Sequence, residues 1–123
     1  MKKILFIICL VLLSVSLSSC KQSASFNGSR TGNSTQLIME YSIFNTTDSQ
    51  ILKLDENDIM NVKIINNGGT LSVELQKKDA ESPVYINDNV ETSEFQIEIK
   101  ESGEYRLKVT GNQTKGSLSF IKK

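Results

Sequence analysis

The chain has 123 residues, with 14 lysines and arginines balanced by 14 aspartates and glutamates, no histidine, no tryptophan, one proline and two cysteines. The missing histidine removes the commonest general base and the commonest transition-metal ligand together. The balanced charge gives no footing for nucleic acid or for a polybasic contact with anionic lipid.

The first twenty residues form an export signal. Lys2 and Lys3 supply a positive start, Ile4 to Leu17 an apolar run, and Ser18 and Ser19 the small residues that a signal peptidase pocket admits. That run is shorter than the roughly twenty residues a helix needs to span a bilayer, so it reads as a cleaved signal. Leu17-Ser18-Ser19-Cys20 resembles the lipobox of bacterial lipoproteins. The resemblance implies a diacylglycerol on the Cys20 thiol, cleavage after Ser19, Cys20 as the mature N-terminus carrying palmitate-type acyl chains, and a domain outside the cytoplasm tied to the bacterial cell membrane. Roughly a hundred residues then remain, one small domain. Cys9 leaves with the signal and Cys20 is acylated, so no disulfide framework is available. Lys2 and Lys3 leave too, and the mature chain becomes slightly acidic.

From Lys21 to Thr35 the residues are mostly Ser, Asn, Gly, Gln and Thr. This composition buries too little apolar surface to offset its ordering entropy, and predicts a flexible tether over 20–35 between the signal (1–19) and a folded domain (36–123).

Gln36 begins a period-two pattern that continues to the end of the chain, the mark of strands with one buried face. Leu37, Met39, Tyr41 and Ile43 are expected to point inward, although apolar Ile38 and Phe44 fall on the other phase and suggest a bulge or a doubly covered strand. Leu52 and Leu54 mark a second strand, which ends at Asp55-Glu56-Asn57-Asp58, and Met60, Val62 and Ile64 a third. Asn66-Asn67-Gly68-Gly69 predicts a hairpin turn before Leu71, Val73 and Leu75. Val84 and Ile86 predict a short edge strand opened by Pro83. Phe95, Ile97 and Ile99 form the next strand, and Tyr105, Leu107 and Val109 the one after. A turn over 111–116 leads into Leu118 and Phe120. About eight short strands with no helical window predict an all-β antiparallel sandwich, jelly-roll-like, with a closed barrel as the alternative.

Gly103-Glu104-Tyr105-Arg106-Leu107-Lys108-Val109-Thr110-Gly111, followed by Lys115-Gly116-Ser117-Leu118-Ser119-Phe120, resembles small lipoproteins of Gram-positive bacteria. Their β-sandwich domains read Gly-x-Tyr-x-Ile-x-Val-x-Gly and then Lys-Gly-Ser-Phe-x-Ile, after an earlier Leu-x-x-Gly-Asp turn. Here that turn reads Leu54-Asp55-Glu56-Asn57-Asp58, with Asn57 where the family has glycine. The likeness is loose over most of the mature chain and good over the last twenty residues. The Gly-x-Tyr strand also looks like that of pre-peptidase C-terminal sandwich modules, and like the tyrosine corner of immunoglobulin-like domains. These relatives agree on a sandwich and not on an activity.

Few residues point to chemistry. Asp55, Asn57 and Asp58, and again Asn87, Asp88 and Asn89, bring together the oxygen ligands that calcium takes, but without the fixed spacing of a dedicated calcium loop. Plain turns, which favour Asp and Asn for their backbone hydrogen bonds, are the simpler reading. No serine lies in a nucleophile motif, and the glutamates alternate with apolar residues as outward strand faces do. No catalytic residue and no cofactor is expected. Tyr85, out of phase with Val84 and Ile86, and Phe44 are the best of few candidates for an aromatic sugar platform. The expectation is a monomeric, lipid-anchored, non-catalytic binding domain with a protein or glycan partner. The alternatives are a carbohydrate- or calcium-binding module, or an accessory subunit of a membrane transporter or enzyme.

Overall fold

The computed structural model describes residues 24–123, so the signal and Cys20 lie outside the described residues. Seven strands follow in chain order: β1 (Ser25–Asn33), β2 (Gln36–Asn45), β3 (Thr47–Leu54), β4 (Ile59–Lys77), β5 (Tyr85–Asn87), β6 (Ser93–Glu98) and β7 (Gly103–Lys122). All pairings are antiparallel. β4 and β7 pair along almost their whole lengths, from Met60 with Lys122 to Lys77 with Tyr105. Around them, β2 joins the second half of β7 and β3 its first half, while β6 joins the first half of β4 and β5 its second. β1 extends the sheet beyond β2. The single seven-stranded sheet folds over on itself, and its two halves enclose one core as a sandwich.

The fold line falls where hairpin turns were expected. Asn66–Gly69 does not reverse the chain. It forms a pair of register shifts inside β4, with Gly69 in the left-handed region at φ 70°. The Asn66 side chain accepts from the Gly68 amide at 3.2 Å and donates to the Gly69 carbonyl at 3.2 Å. Gln113 (φ 51°) and Gly116 (φ 144°) bend β7 at the same level. Where the ladder lapses, the buried Thr114 hydroxyl donates to the Thr70 carbonyl at 2.6 Å and accepts from the Asn112 amide at 3.1 Å. Residues that tolerate positive φ thus serve bulges that bend two long strands, because both strands continue into paired ladders on either side. Two expected turns become two continuous strands.

Beyond Val90, fully buried in the segment before β6, the core follows the expected phase except in two strands. In β2, Leu37, Met39 and Tyr41 point inward, the register with β7 then shifts, and Phe44 is buried in place of Ile43, which is 43% exposed. In β5 the phase is the reverse of the prediction: Tyr85 packs inward against Phe95, with ring centroids 5.2 Å apart, and Val84 and Ile86 are exposed. Tyr105 makes the tyrosine corner: its buried hydroxyl donates to the Glu101 carbonyl at 2.6 Å. Tyr41 is its opposite. Its buried hydroxyl has no hydrogen-bond partner among the described residues, and burial pushes its pKa up to about 12.

The folded domain starts earlier than the composition predicts. Residues 25–33, expected within the tether, form β1 and pair with β2 from Ser25–Asn45 to Asn33–Gln36. Backbone pairing with a strand already fixed in the core orders this polar segment, and a clasp across the sandwich edge holds it. Arg30 Nε lies 2.6 Å from Asp48 Oδ2, and its guanidinium also donates to the Ser49 carbonyl (3.1 Å) and to Gln50 Oε1 (3.0 Å) on β3. Such half-exposed charge pairs contribute little singly, about 0–1 kcal/mol, but a fork of three bonds fixes position.

The bend makes a direct prediction. A Cβ on Gly116 would run into the Ile65 carbonyl, in a backbone conformation that costs an L-residue about 1–2 kcal/mol, whereas a Cβ on Gly68 would meet nothing. Gly116→Ala is therefore expected to lower stability by at least about 2 kcal/mol, and Gly68→Ala to change it by less than about 0.5 kcal/mol. Equal urea midpoints for the two variants would contradict this path for β7.

Candidate functional site

The loop Asp55–Asp58 closes the end of the sandwich away from the bend. Asp58 Oδ2 accepts from the Asp55 amide at 2.7 Å, and the Asp58 amide donates back to the Asp55 carbonyl at 3.0 Å. Asn57 lies at φ 75°, a left-handed conformation that favours glycine and that asparagine tolerates. Its amide donates to the Ile99 carbonyl at 2.8 Å, and the Glu56 amide to Ser102 Oγ at 2.8 Å.

The cation at this loop is the chain's own. Lys122 Nζ, from the end of β7, lies 3.1 Å from Asp58 Oδ2 and 3.6 Å from Asp55 Oδ2. The Asp55 amide, and then the Lys122 ammonium, hold the Asp58 carboxyl below the usual range against the opposing effect of desolvation, and the same pairing raises the Lys122 pKa. The candidate calcium residues are thus brought together, but around an ammonium group. Among the described residues no three acidic, cysteine or histidine side chains group to hold a metal. The later cluster is a turn: Asn87 Oδ1 accepts from the Asn89 amide at 3.0 Å, and the Asp88 carbonyl accepts from Ser72 Oγ at 2.9 Å. Neither aromatic candidate offers a platform, since Phe44 is fully buried and Tyr85 lies against Phe95.

Three surface features were not legible in the sequence. A shallow trough of about 610 Å³ crosses the outer face of the first half-sheet, lined by backbone at Gly28 and Gly116 and by Glu40, Ser42, Ile65 and Lys115. It adjoins a depression of about 570 Å³ at the bend, formed by Ser25, Ile43, Asn45, Gly68, Gln113 and Lys115 among others. On the second half-sheet a polar hollow of about 270 Å³ gathers Lys77, Lys78, Arg106 and Lys108 with Glu74 and Asp79. Gln76 Nε2 donates to the Ala80 carbonyl at 2.7 Å and pins the loop that walls this hollow. Beside it stand Val84 and Ile86, 47% and 58% exposed. All three features assemble residues from strands distant in the chain, so no local motif announces them.

The fold is similar to solved structures. A pre-peptidase C-terminal domain of a collagenase from Bacillus anthracis aligns with a TM-score of 0.52 and 16% sequence identity, covering 83% of this chain and 100% of that one. PliG of Aeromonas hydrophila, a periplasmic inhibitor of g-type lysozyme, aligns with a TM-score of 0.49 and 16% identity, covering 85% of this chain and 92% of that one. The first likeness supports the sandwich and its similarity to pre-peptidase C-terminal modules. No protein-family model matches the chain, and no curated protein is a match.

The Asp58–Lys122 contact predicts an acid limb to the stability curve. A carboxyl whose folded pKa lies below its unfolded value adds stability that is complete above the unfolded pKa and is lost as pH falls through the folded one, here below about pH 4. Asp58→Asn keeps an oxygen for the Asp55 amide but removes the charge. It is expected to be less stable than the parent at pH 7 and to lose less on acidification, as followed by urea midpoints at pH 7 and pH 3. Identical acid slopes for parent and variant would contradict the assignment.

Proposed function

We propose that this chain is a lipid-anchored extracytoplasmic lipoprotein of the Gram-positive type, whose β-sandwich is a monomeric, non-catalytic binding domain. The observation that carries the reading is the placement of Leu17-Ser18-Ser19-Cys20 after a positive and apolar start, five residues before the first strand. Acylation of Cys20 puts two chains in the bilayer, where one alone gives only marginal attachment. The acidic loop supports a structural role for Asp55, Asn57 and Asp58, because its carboxylates face Lys122.

A second reading, an accessory subunit docked on a membrane protein, is favoured by Val84 and Ile86. They are the most exposed large apolar side chains among the described residues, and they stand on or beside the edge strand β5. An apolar edge next to a polar hollow of mixed charge suits a protein surface with an apolar centre and a polar rim.

Cys20→Ser separates address from fold. The variant is expected to lose metabolic labelling by fatty acid and to leave the membrane fraction, with unchanged far-UV circular dichroism. Labelling that persists in Cys20→Ser, or retention in the membrane released only by detergent, would overturn the lipoprotein reading.

A further inference from the structure

We infer that the bent edge of the sandwich is the face that rests on the bilayer, with Phe26, Ile43 and Lys115 as its lipid contacts. The inference builds on the lipid anchor at Cys20 and assigns the orientation of the domain above it.

Reach is the first constraint. β1 starts at Ser25, so five peptide steps separate it from Cys20, at most about 18 Å even when fully extended. β1 enters the sheet at the bend: Ser25 pairs with Asn45 and shares one depression with Asn45, Gly68 and Gln113. The opposite end, with the Asp55–Asp58 loop, lies a strand length further on, roughly 30 Å along β2. The anchor therefore holds the bend, not the acidic loop, against the headgroups.

Chemistry at the two ends agrees with this order. The residues lining the depression at the bend include one charged side chain, Lys115, and no carboxylate. The far end carries Asp55, Glu56 and Asp58, and the first and last of these face the Lys122 ammonium. An anionic bilayer attracts Lys115 at the bend, whereas Lys122 at the far end is held by its own carboxylates. Phe26 (38% exposed) and Ile43 (43% exposed) flank the entry of β1. Phe26 is carried on a rigid base, edge-on to Phe44 with centroids 5.8 Å apart and 6.4 Å from the Tyr41 ring. Two apolar side chains and one cation are too few to hold a soluble protein on a membrane. Tethered at millimolar effective concentration they suffice, because the anchor has already brought the surfaces together.

The sequence contains no tryptophan, so single-tryptophan variants report without background. Ile43→Trp at the bend and Glu56→Trp at the far end are made in the full lipidated chain, and each is reconstituted into phosphatidylglycerol–phosphatidylcholine vesicles with brominated acyl chains. Phe26→Trp serves as a second bend probe should Ile43→Trp fold poorly. Co-flotation with the vesicles reports the anchor, and emission reports the contact. The expected result is co-flotation of both proteins, with a several-fold loss of emission for the bend probe and none for Glu56→Trp, and weaker quenching of the bend probe when Lys115→Glu is added. Co-flotation with an unquenched bend probe, or with quenching at Glu56→Trp instead, would overturn the orientation while leaving the anchor intact. Failure of the proteins to co-float would overturn the anchor and this inference with it.

Discussion

The structure depends on the pairing of β4 with β7 straight through the bend. Among the described residues these two strands alone belong to both halves of the sheet, and each remaining strand is hung on one of them or on a neighbour. Bending a paired ladder breaks backbone hydrogen bonds at the fold line, and a buried amide or carbonyl left open there costs about 1–3 kcal/mol. Here Thr114 and Asn66 side chains take over that bonding, and Gly69, Gln113 and Gly116 supply the conformations that the turn of direction needs. The core then forms by closure. Leu118 and Phe120 come from one half of β7, and Tyr105, Leu107 and Val109 from the other, and they meet in one cluster.

Much of this was legible because burial on one face of a strand leaves a period of two. Leu71, Val73 and Leu75, and Tyr105, Leu107 and Val109, keep that period without interruption, and all six are buried. What was not legible has three physical causes. Turn chemistry is local, and Asn66–Gly69 would serve a hairpin as readily as a bulge, so only the distant partners Leu118 and Gly111 decide which it is. β1 is polar because it lies at an edge with nearly every residue exposed, and a strand without a buried face has no hydrophobic phase to read. β5 is three residues long, too short for Tyr85 to be distinguished from Val84 and Ile86 as the inward residue. The candidate loop shows the same limit: Asp55, Asn57 and Asp58 are neighbours in sequence, but the ammonium that completes their cluster comes from Lys122 at the other end of the chain.

The two buried tyrosine hydroxyls of the core differ in kind. Tyr105 closes a corner and is satisfied by Glu101, whereas Tyr41 buries a hydroxyl beside Phe26 and Phe44 without a hydrogen-bond partner among the described residues. The phenol lies in the part of β2 where the register shifts and β1 joins. Taken with the clasp of Arg30 on Asp48, β1 is a built part of the domain and not a spacer.

The central claim, that β4 and β7 pass through the bend unbroken, is tested most directly by cross-strand nuclear Overhauser effects in a uniformly labelled sample. Contacts are expected between Ile64 and Leu118 on one side of the fold line and between Leu71 and Gly111 on the other. Contacts between Ile64 and Leu71 closing a hairpin over Asn66–Gly69, with those to β7 missing, would contradict it.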